Sequence, residues 1–187
     1  MANVSRHEAQ AALSDIDNVT RRGMTLKSYR HAGPFLMLWG VVWGLGYLGM
    51  ARLAPEHWGW LWLGLDAAGV VGSLILAPKR GTESHAAVKP WRMLAGMIAC
   101  MAFILAIVAV FPKTELLPYI ALPGLFVGFL YTVMGVVGAA PRYVWIGAAV
   151  FIATLGGYYL WPQYLAEWLA LVGGGGLFLG GLWLRSA

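Results

Sequence analysis

The chain alternates between long runs of apolar residues and short polar segments. Six of these runs have about 20 residues each, enough at about 1.5 Å per residue to cross a hydrocarbon layer about 30 Å thick. Apolar and polar residues do not alternate within the runs, as they would in the strands of a membrane barrel. The pattern predicts an all-α integral membrane protein with six transmembrane helices, at Pro34–Leu53, Trp58–Ala77, Trp91–Phe111, Leu117–Gly138, Arg142–Trp161 and Tyr164–Leu184.

Residues 1–33 precede the first run and are predominantly polar, so we expect an N-terminal arm ahead of a six-helix transmembrane domain at 34–187. Ser5 and Glu8 fit a capping box that would begin a helix, and Gly23 would end it. The apolar residues between them follow helical spacing: Ala9, Ala12, Leu13, Ile16 and Val19. This amphipathic helix would rest on the inner leaflet or cover the bundle; alternatively, it would dock a cytoplasmic partner.

Composition and charge support a membrane protein and set its orientation. Of the residues, 60% are hydrophobic and 11% charged, and the net charge is +5. The basic residues flank the apolar runs and form no continuous stripe, so we expect no nucleic-acid partner. By the positive-inside rule both termini face the cytoplasm of an inner (plasma) membrane. Eleven basic residues mark that side, against Arg52 and Lys113 on the other: Arg6, Arg21, Arg22, Lys27, Arg30, Lys79, Arg80, Lys89, Arg92, Arg142 and Arg185.

A repeated spacing of proline and glycine divides the six runs into three tandem helical hairpins. Proline is tolerated in the first turn of a helix, and glycine allows two membrane helices to approach closely. We therefore predict a pseudo-threefold bundle of parallel repeats, with units at about 34–89, 90–140 and 141–187. The residues that repeat are the inner prolines Pro34, Pro90 and Pro141, the outer prolines Pro55, Pro112 and Pro162, and the glycines Gly40, Gly96 and Gly147.

One acidic residue, Asp66, lies deep within a predicted span. A carboxylate at that depth is expensive unless it is protonated, paired or hydrated. It is therefore either a proton or cation site in a water-filled path, or a neutral carboxyl hydrogen bonded to a neighbouring helix. Counted from the outer prolines, Pro123 and Gly173 fall at the same depth, where broken helices form sites in many transporters. Trp43, Tyr47, Tyr131 and Thr132 are candidates for its walls and hydroxyl groups.

The sequence carries no arrangement typical of a membrane enzyme, and we predict no catalytic residues, metal site or cofactor. The four histidines lie in the arm, in loops or at helix ends, which excludes haem ligation at mid-membrane depth. No lysine lies inside a span, and no phosphate-binding glycine loop occurs. Enzymes that modify lipids at dispersed sites stay open as an alternative.

Two functions of different kinds follow. The first is a small channel or transporter for a small polar solute, a proton or a cation, with Asp66 on the path and Glu56, Glu115 and Glu167 concentrating cations at the outer mouth. The stretch Trp39–Trp43 is similar to one in the proton-gated urea and amide channels, which also contain three hairpins; this similarity covers five residues and assigns no membership. The second is a non-transporting accessory subunit or regulator that acts through the N-terminal helix. Partners would be the lipid bilayer and, for either function, further copies of the chain.

Overall fold

A computed structural model describes residues 6–77, 90–110 and 115–186. These residues are helical apart from short turns, and no strand occurs among them, so the predicted all-α class is confirmed for this part of the chain. A π-helical segment, Ala170–Gly174, joins the last two helices. The helices are α1 (Arg6–Met50), α2 (Trp58–Leu76), α3 (Pro90–Val110), α4 (Leu117–Val137), α5 (Pro141–Leu160), α6 (Leu165–Leu169) and α7 (Gly175–Arg185).

Five helices are long and apolar enough to cross a membrane. The last of them, Pro162–Arg185, comprises α6, the π-helical segment and α7, and is called the C-terminal span below. In α3 the fully described residues Ile98–Ile107 form an apolar helical stretch. The length and composition of the five helices are those of a membrane protein, and the sixth span stays a prediction. The other four helices of spanning length are Arg22–Met50, Pro55–Leu76, Leu117–Val137 and Pro141–Leu160.

The first helix, α1, is a single helix of 45 residues. The prediction that Gly23 ends a separate arm helix is wrong, because α1 continues through it. Pro34 also lies inside α1 instead of opening a helix. A glycine inside a helix costs about 1 kcal/mol and a proline about 3 kcal/mol, amounts that the packing of α1 against three other helices can offset. At about 1.5 Å per residue α1 is about 68 Å long, more than the hydrocarbon layer requires.

Of the other prolines of the proposed repeat, each one that the structure describes lies at the first described position of a helical segment. Pro141 opens α5, as predicted, and Pro90 is the first described residue of α3. Pro55 and Pro162 each open one 3₁₀ turn ahead of α2 and α6. Proline suits these positions because its missing N–H would be unpaired there in any case. Ser5 of the proposed capping box and Pro112 lie outside the described residues.

The C-terminal span packs against α1 through backbone contacts at glycines. A Cβ atom on Gly40 would lie 2.6 Å from the backbone nitrogen of Phe178 and 2.7 Å from the carbonyl oxygen of Gly174. Further along, a Cβ on Gly181 would lie 2.6 Å from the carbonyl oxygen of Gly33. These distances are shorter than any side chain tolerates, so only glycine permits this antiparallel crossing.

Helices α4 and α5 cross in the same way. A Cβ on Gly147 would lie 2.5 Å from the backbone nitrogen of Thr132 and 2.6 Å from the carbonyl oxygen of Gly128. A Cβ on Gly135 would lie 3.1 Å from the carbonyl oxygen of Ala140. The positions in contact have the same spacing along each helix as those of α1 and the C-terminal span, so the two crossings share one register.

The three glycines of the proposed repeat therefore differ in their surroundings. Gly40 and Gly147 each lie at a helix crossing, whereas Gly96 is exposed and a Cβ on it would meet nothing within 4 Å. In both crossings the odd-numbered helix packs against the last helix of another proposed unit. Close glycine packing is thus present at two of the three equivalent positions.

The second helix, α2, flanks the bundle and packs against α1. Its Gly69 is buried, and a Cβ there would lie 3.2 Å from the Trp39 ring and 3.3 Å from Val42. Nearby, the Trp39 indole Nε1 donates a hydrogen bond of 3.2 Å to the hydroxyl of Ser73. Most other side chains of α2 are exposed, so the core lies among α1, α4, α5 and the C-terminal span.

Candidate functional site

Two aromatic side chains of α1 form the centre of the candidate site. Trp43 and Tyr47 are one helical turn apart and buried, and Tyr47 has no exposed surface. Their rings meet edge to face, with centroids 5.7 Å apart. Tyr47 makes a second edge-to-face contact with Trp62 of α2, at 5.5 Å. The three rings form a continuous aromatic cluster between α1 and α2.

This cluster contacts irregular turns of two further helices. The Tyr47 hydroxyl donates a hydrogen bond of 3.2 Å to the carbonyl oxygen of Ile120, in the turn that precedes Pro123 inside α4. A Cβ on Gly173, within the π-helical segment, would lie 3.5 Å from the Trp43 ring. Proline removes a helical hydrogen bond, and π turns interrupt the α-helical pattern, often at functional sites. Both predicted irregular positions therefore lie beside the aromatic cluster.

Asp66 lies at the level of this cluster. Helices α1 and α2 are antiparallel. Trp62 of α2 packs against Gly46 of α1, and Gly69, one turn after Asp66, packs against Val42. Asp66 falls between these contacts, so it lies at about the level of Trp43 along α1. Its side chain is half-buried, and no described residue forms a hydrogen bond or an ion pair with it.

The tryptophan Trp62 was not among the predicted site residues. It lies four residues before Asp66, on the same face of α2, and its indole Nε1 donates to the sulfur of Met50 at 3.2 Å. The spacing of Trp62 and Asp66 is visible in the sequence. The ring contact with Tyr47 depends on the register of α1 against α2, which the sequence alone does not specify.

Two predicted site residues have other surroundings. Tyr131 stacks on Tyr143 of α5, with centroids 6.0 Å apart and ring planes within 7°. The hydroxyl of Thr132 donates a 2.8 Å hydrogen bond to the carbonyl oxygen of Gly128, one turn earlier in α4. Thr132 also lies at the α4–α5 crossing. Both residues therefore have packing contacts between α4 and α5 that do not involve the aromatic cluster.

The predicted acids of the outer mouth, Glu56, Glu115 and Glu167, are all exposed. Each precedes or lies in the first turn of α2, α4 or α6. The antiparallel crossings place these helix starts at the end of the bundle opposite Arg142. Within the described part of the chain, no group of three histidine, cysteine or acidic side chains could hold a metal ion.

Comparison with known proteins assigns no family to the chain. No family model matches it, and no curated protein or solved structure does so. Its function is therefore inferred from the residues and contacts above.

Proposed function

We propose that this protein is a small inner-membrane channel or transporter for a proton, a cation or another small polar solute, with Asp66 on its path. The observation that carries the proposal is the half-buried carboxyl group of Asp66, which has no described partner. It lies within a span, at the level where α4 contains Pro123 and the C-terminal span contains its π-helical segment.

The chemistry of a carboxyl group at this depth supports such a role. Its charged form costs several kcal/mol in the membrane unless a proton, a cation or water compensates it. Binding of a proton or cation removes that cost, and release towards water restores the charge. The nearby π turn offers backbone carbonyl groups that are not committed to regular helical bonds. At the end of the bundle opposite Arg142, the exposed side chains of Glu56, Glu115 and Glu167 would raise the local concentration of cations.

The proposed molecule has six spans in three hairpins, with both termini in the cytoplasm. The two glycine crossings of equal register support the repeat, and α3 would contribute the remaining span. The guanidinium of Arg142 lies over the rings of Tyr29 and Trp183, so the start of α5, the end of the C-terminal span and the middle of α1 share one end of the bundle. That shared end carries Arg142 and Arg185, in agreement with a positive cytoplasmic side.

Flux through reconstituted vesicles tests the proposal. Purified protein in liposomes should dissipate an imposed proton or cation gradient, read by a pH-sensitive or cation-sensitive dye. Asp66→Asn keeps the side-chain size and removes the charge, so flux should fall to that of protein-free vesicles. Asp66→Glu should retain flux, and so should the control Ser73→Ala, two turns along α2. Unchanged flux with Asp66→Asn would exclude Asp66 from the path.

The accessory or regulatory alternative is favoured by the first part of α1. Leu13, Ile16 and Val19 are 63%, 61% and 71% exposed on a helix that continues without a break into the first span. An exposed apolar helix face of this kind is typical of a surface that binds another helix. Wild-type protein that supports no flux of protons, cations or small solutes would favour this alternative.

A further inference from the structure

An open groove runs between α5 and the C-terminal span, away from Asp66. Its volume is about 370 Å³, within the range of ligand pockets. It is lined by four residues between Trp145 and Val150 on α5, and by Val172, Gly176 and Trp183 on the C-terminal span. Every side chain among them is apolar or an indole, so the groove suits an apolar ligand.

The length of the groove matches one leaflet of a bilayer. Between Trp183 and Val172 the C-terminal span rises about 16 Å at about 1.5 Å per residue, which is about half of a 30 Å hydrocarbon layer. Trp145 and Trp183 form one end of the groove and are 68% and 43% exposed. Indole rings favour the boundary between headgroups and acyl chains, so that end lies at the membrane surface.

A cationic side chain lies at the same end. The Arg142 guanidinium is 5.0 Å from the centroid of the Trp183 ring and 5.6 Å from that of Tyr29. Its Nη1 donates a hydrogen bond to the carbonyl oxygen of Trp183. The guanidinium has five N–H groups, and Arg142 is only half-buried, so donors are left for an anion. Trp183 thus forms part of the groove wall and also contacts the Arg142 guanidinium.

We propose that the groove binds one acyl chain of an anionic phospholipid whose phosphate is held by Arg142. Basic pockets between transmembrane helices are known to bind anionic lipid headgroups. The apolar lining favours a lipid over a free phosphate, because it contributes binding free energy only when the ligand has a hydrocarbon chain. In the orientation proposed above, the lipid belongs to the cytoplasmic leaflet. Of the residues that line the groove, only Val172 lies in the π-helical segment beside Asp66. None of the variants below changes Val172, so either proposal can fail without the other.

Neighbouring glycines provide a matched pair of variants. Gly175 and Gly176 are adjacent in α7, and a Cβ on either would meet nothing within 4 Å. Only Gly176 lines the groove. The Cβ atom of Gly176→Leu therefore enters open space in the groove, and Gly175→Leu adds the same side chain outside it.

Lipid titration followed by native mass spectrometry tests the site in the full-length protein. Phosphatidylglycerol should bind at one site about fivefold more tightly than phosphatidylcholine with the same chains, the ratio expected from one basic residue near the headgroup. Glycerol phosphate, which has the headgroup charge but no chains, should not bind. Gly176→Leu should lose the phosphatidylglycerol site, and Gly175→Leu should retain it. Arg142→Gln should bind both lipids equally.

Several results would overturn this assignment. Equal affinity of the wild type for both lipids would exclude recognition by Arg142, and binding of glycerol phosphate as tight as that of the lipid would exclude the groove. Equal phosphatidylglycerol binding by the two glycine variants, whether retained or lost, would also exclude the groove. The comparison of the two glycine variants tests binding in the groove even if Arg142→Gln fails to fold.

Discussion

At the scale of single residues, Tyr47 and Asp66 show two ways of placing a polar group within the membrane. The Tyr47 hydroxyl is fully buried and bonded to a carbonyl oxygen of α4. Every other fully buried side-chain nitrogen or oxygen atom that the structure describes also has a partner. Asp66 is half-buried and has none within the same residues. This contrast separates a structural polar group from a candidate functional one.

Replacing Tyr47 by phenylalanine should therefore lower stability without touching Asp66. Tyr47→Phe keeps the ring contacts and removes the hydrogen bond to Ile120, so we expect the free energy of unfolding to fall by about 1 kcal/mol, in the range measured for membrane hydrogen bonds. Thermal unfolding in detergent measures this change. Tyr159→Phe is the control, because Tyr159 is 75% exposed. Equal unfolding temperatures for the two variants would contradict a stabilising role of the hydroxyl.

Individual site residues could be predicted to different degrees. An acid inside an apolar run is visible in any sequence, so the sequence alone is sufficient to indicate Asp66 as a candidate. Trp43 and Tyr47 were proposed only as possible walls, and their contact with Trp62 required the register of two helices. Tyr131 and Thr132 looked equally suitable, since nothing in their spacing indicates that their contacts lie between α4 and α5.

At the scale of helices, glycine determines which elements pack most closely. The position six residues after the inner proline predicted a close approach, and Gly40 and Gly147 confirm one. Which helix packs against each glycine was not predictable, because these helix pairs depend on contacts between distant parts of the chain. The ends of helices could be predicted only in part. Pro141 opens α5 as predicted, but neither Gly23 nor Pro34 interrupts α1.

Alanine at the glycines of the proposed repeat should have unequal effects. In Gly147→Ala the new methyl group would lie 2.5 Å from a backbone nitrogen of α4, and overpacking of this kind typically costs about 1–3 kcal/mol. Gly96→Ala adds the same methyl group in open space. We expect a lower unfolding temperature and a lower yield of folded protein for Gly147→Ala only. Equal loss in both variants would mean that α3 also packs at its glycine.

At the scale of the whole molecule, composition and hydropathy were sufficient to predict a helical membrane protein with several spans. Five helices of spanning length lie where apolar runs were predicted. The position of α2 was not predictable, because its exposed side chains are as apolar as its buried ones. This position matters for function: α2 flanks the bundle, so Asp66 lies between α1 and an open side of the protein instead of at the centre of a closed core.

Access of water to position 66 tests the central claim most directly. Cys100 is the only cysteine, so Cys100→Ser gives a background in which Asp66→Cys is the sole thiol. A membrane-impermeant methanethiosulfonate should label that thiol, because the reagent attacks the thiolate, which requires water. The control is Val71→Cys, about 7.5 Å further along α2, on its other side and 56% exposed, which should not react in lipid. Labelling at position 66 alone is the predicted result; an unreactive thiol at position 66, or equal labelling at both positions, would contradict a water-filled path at Asp66.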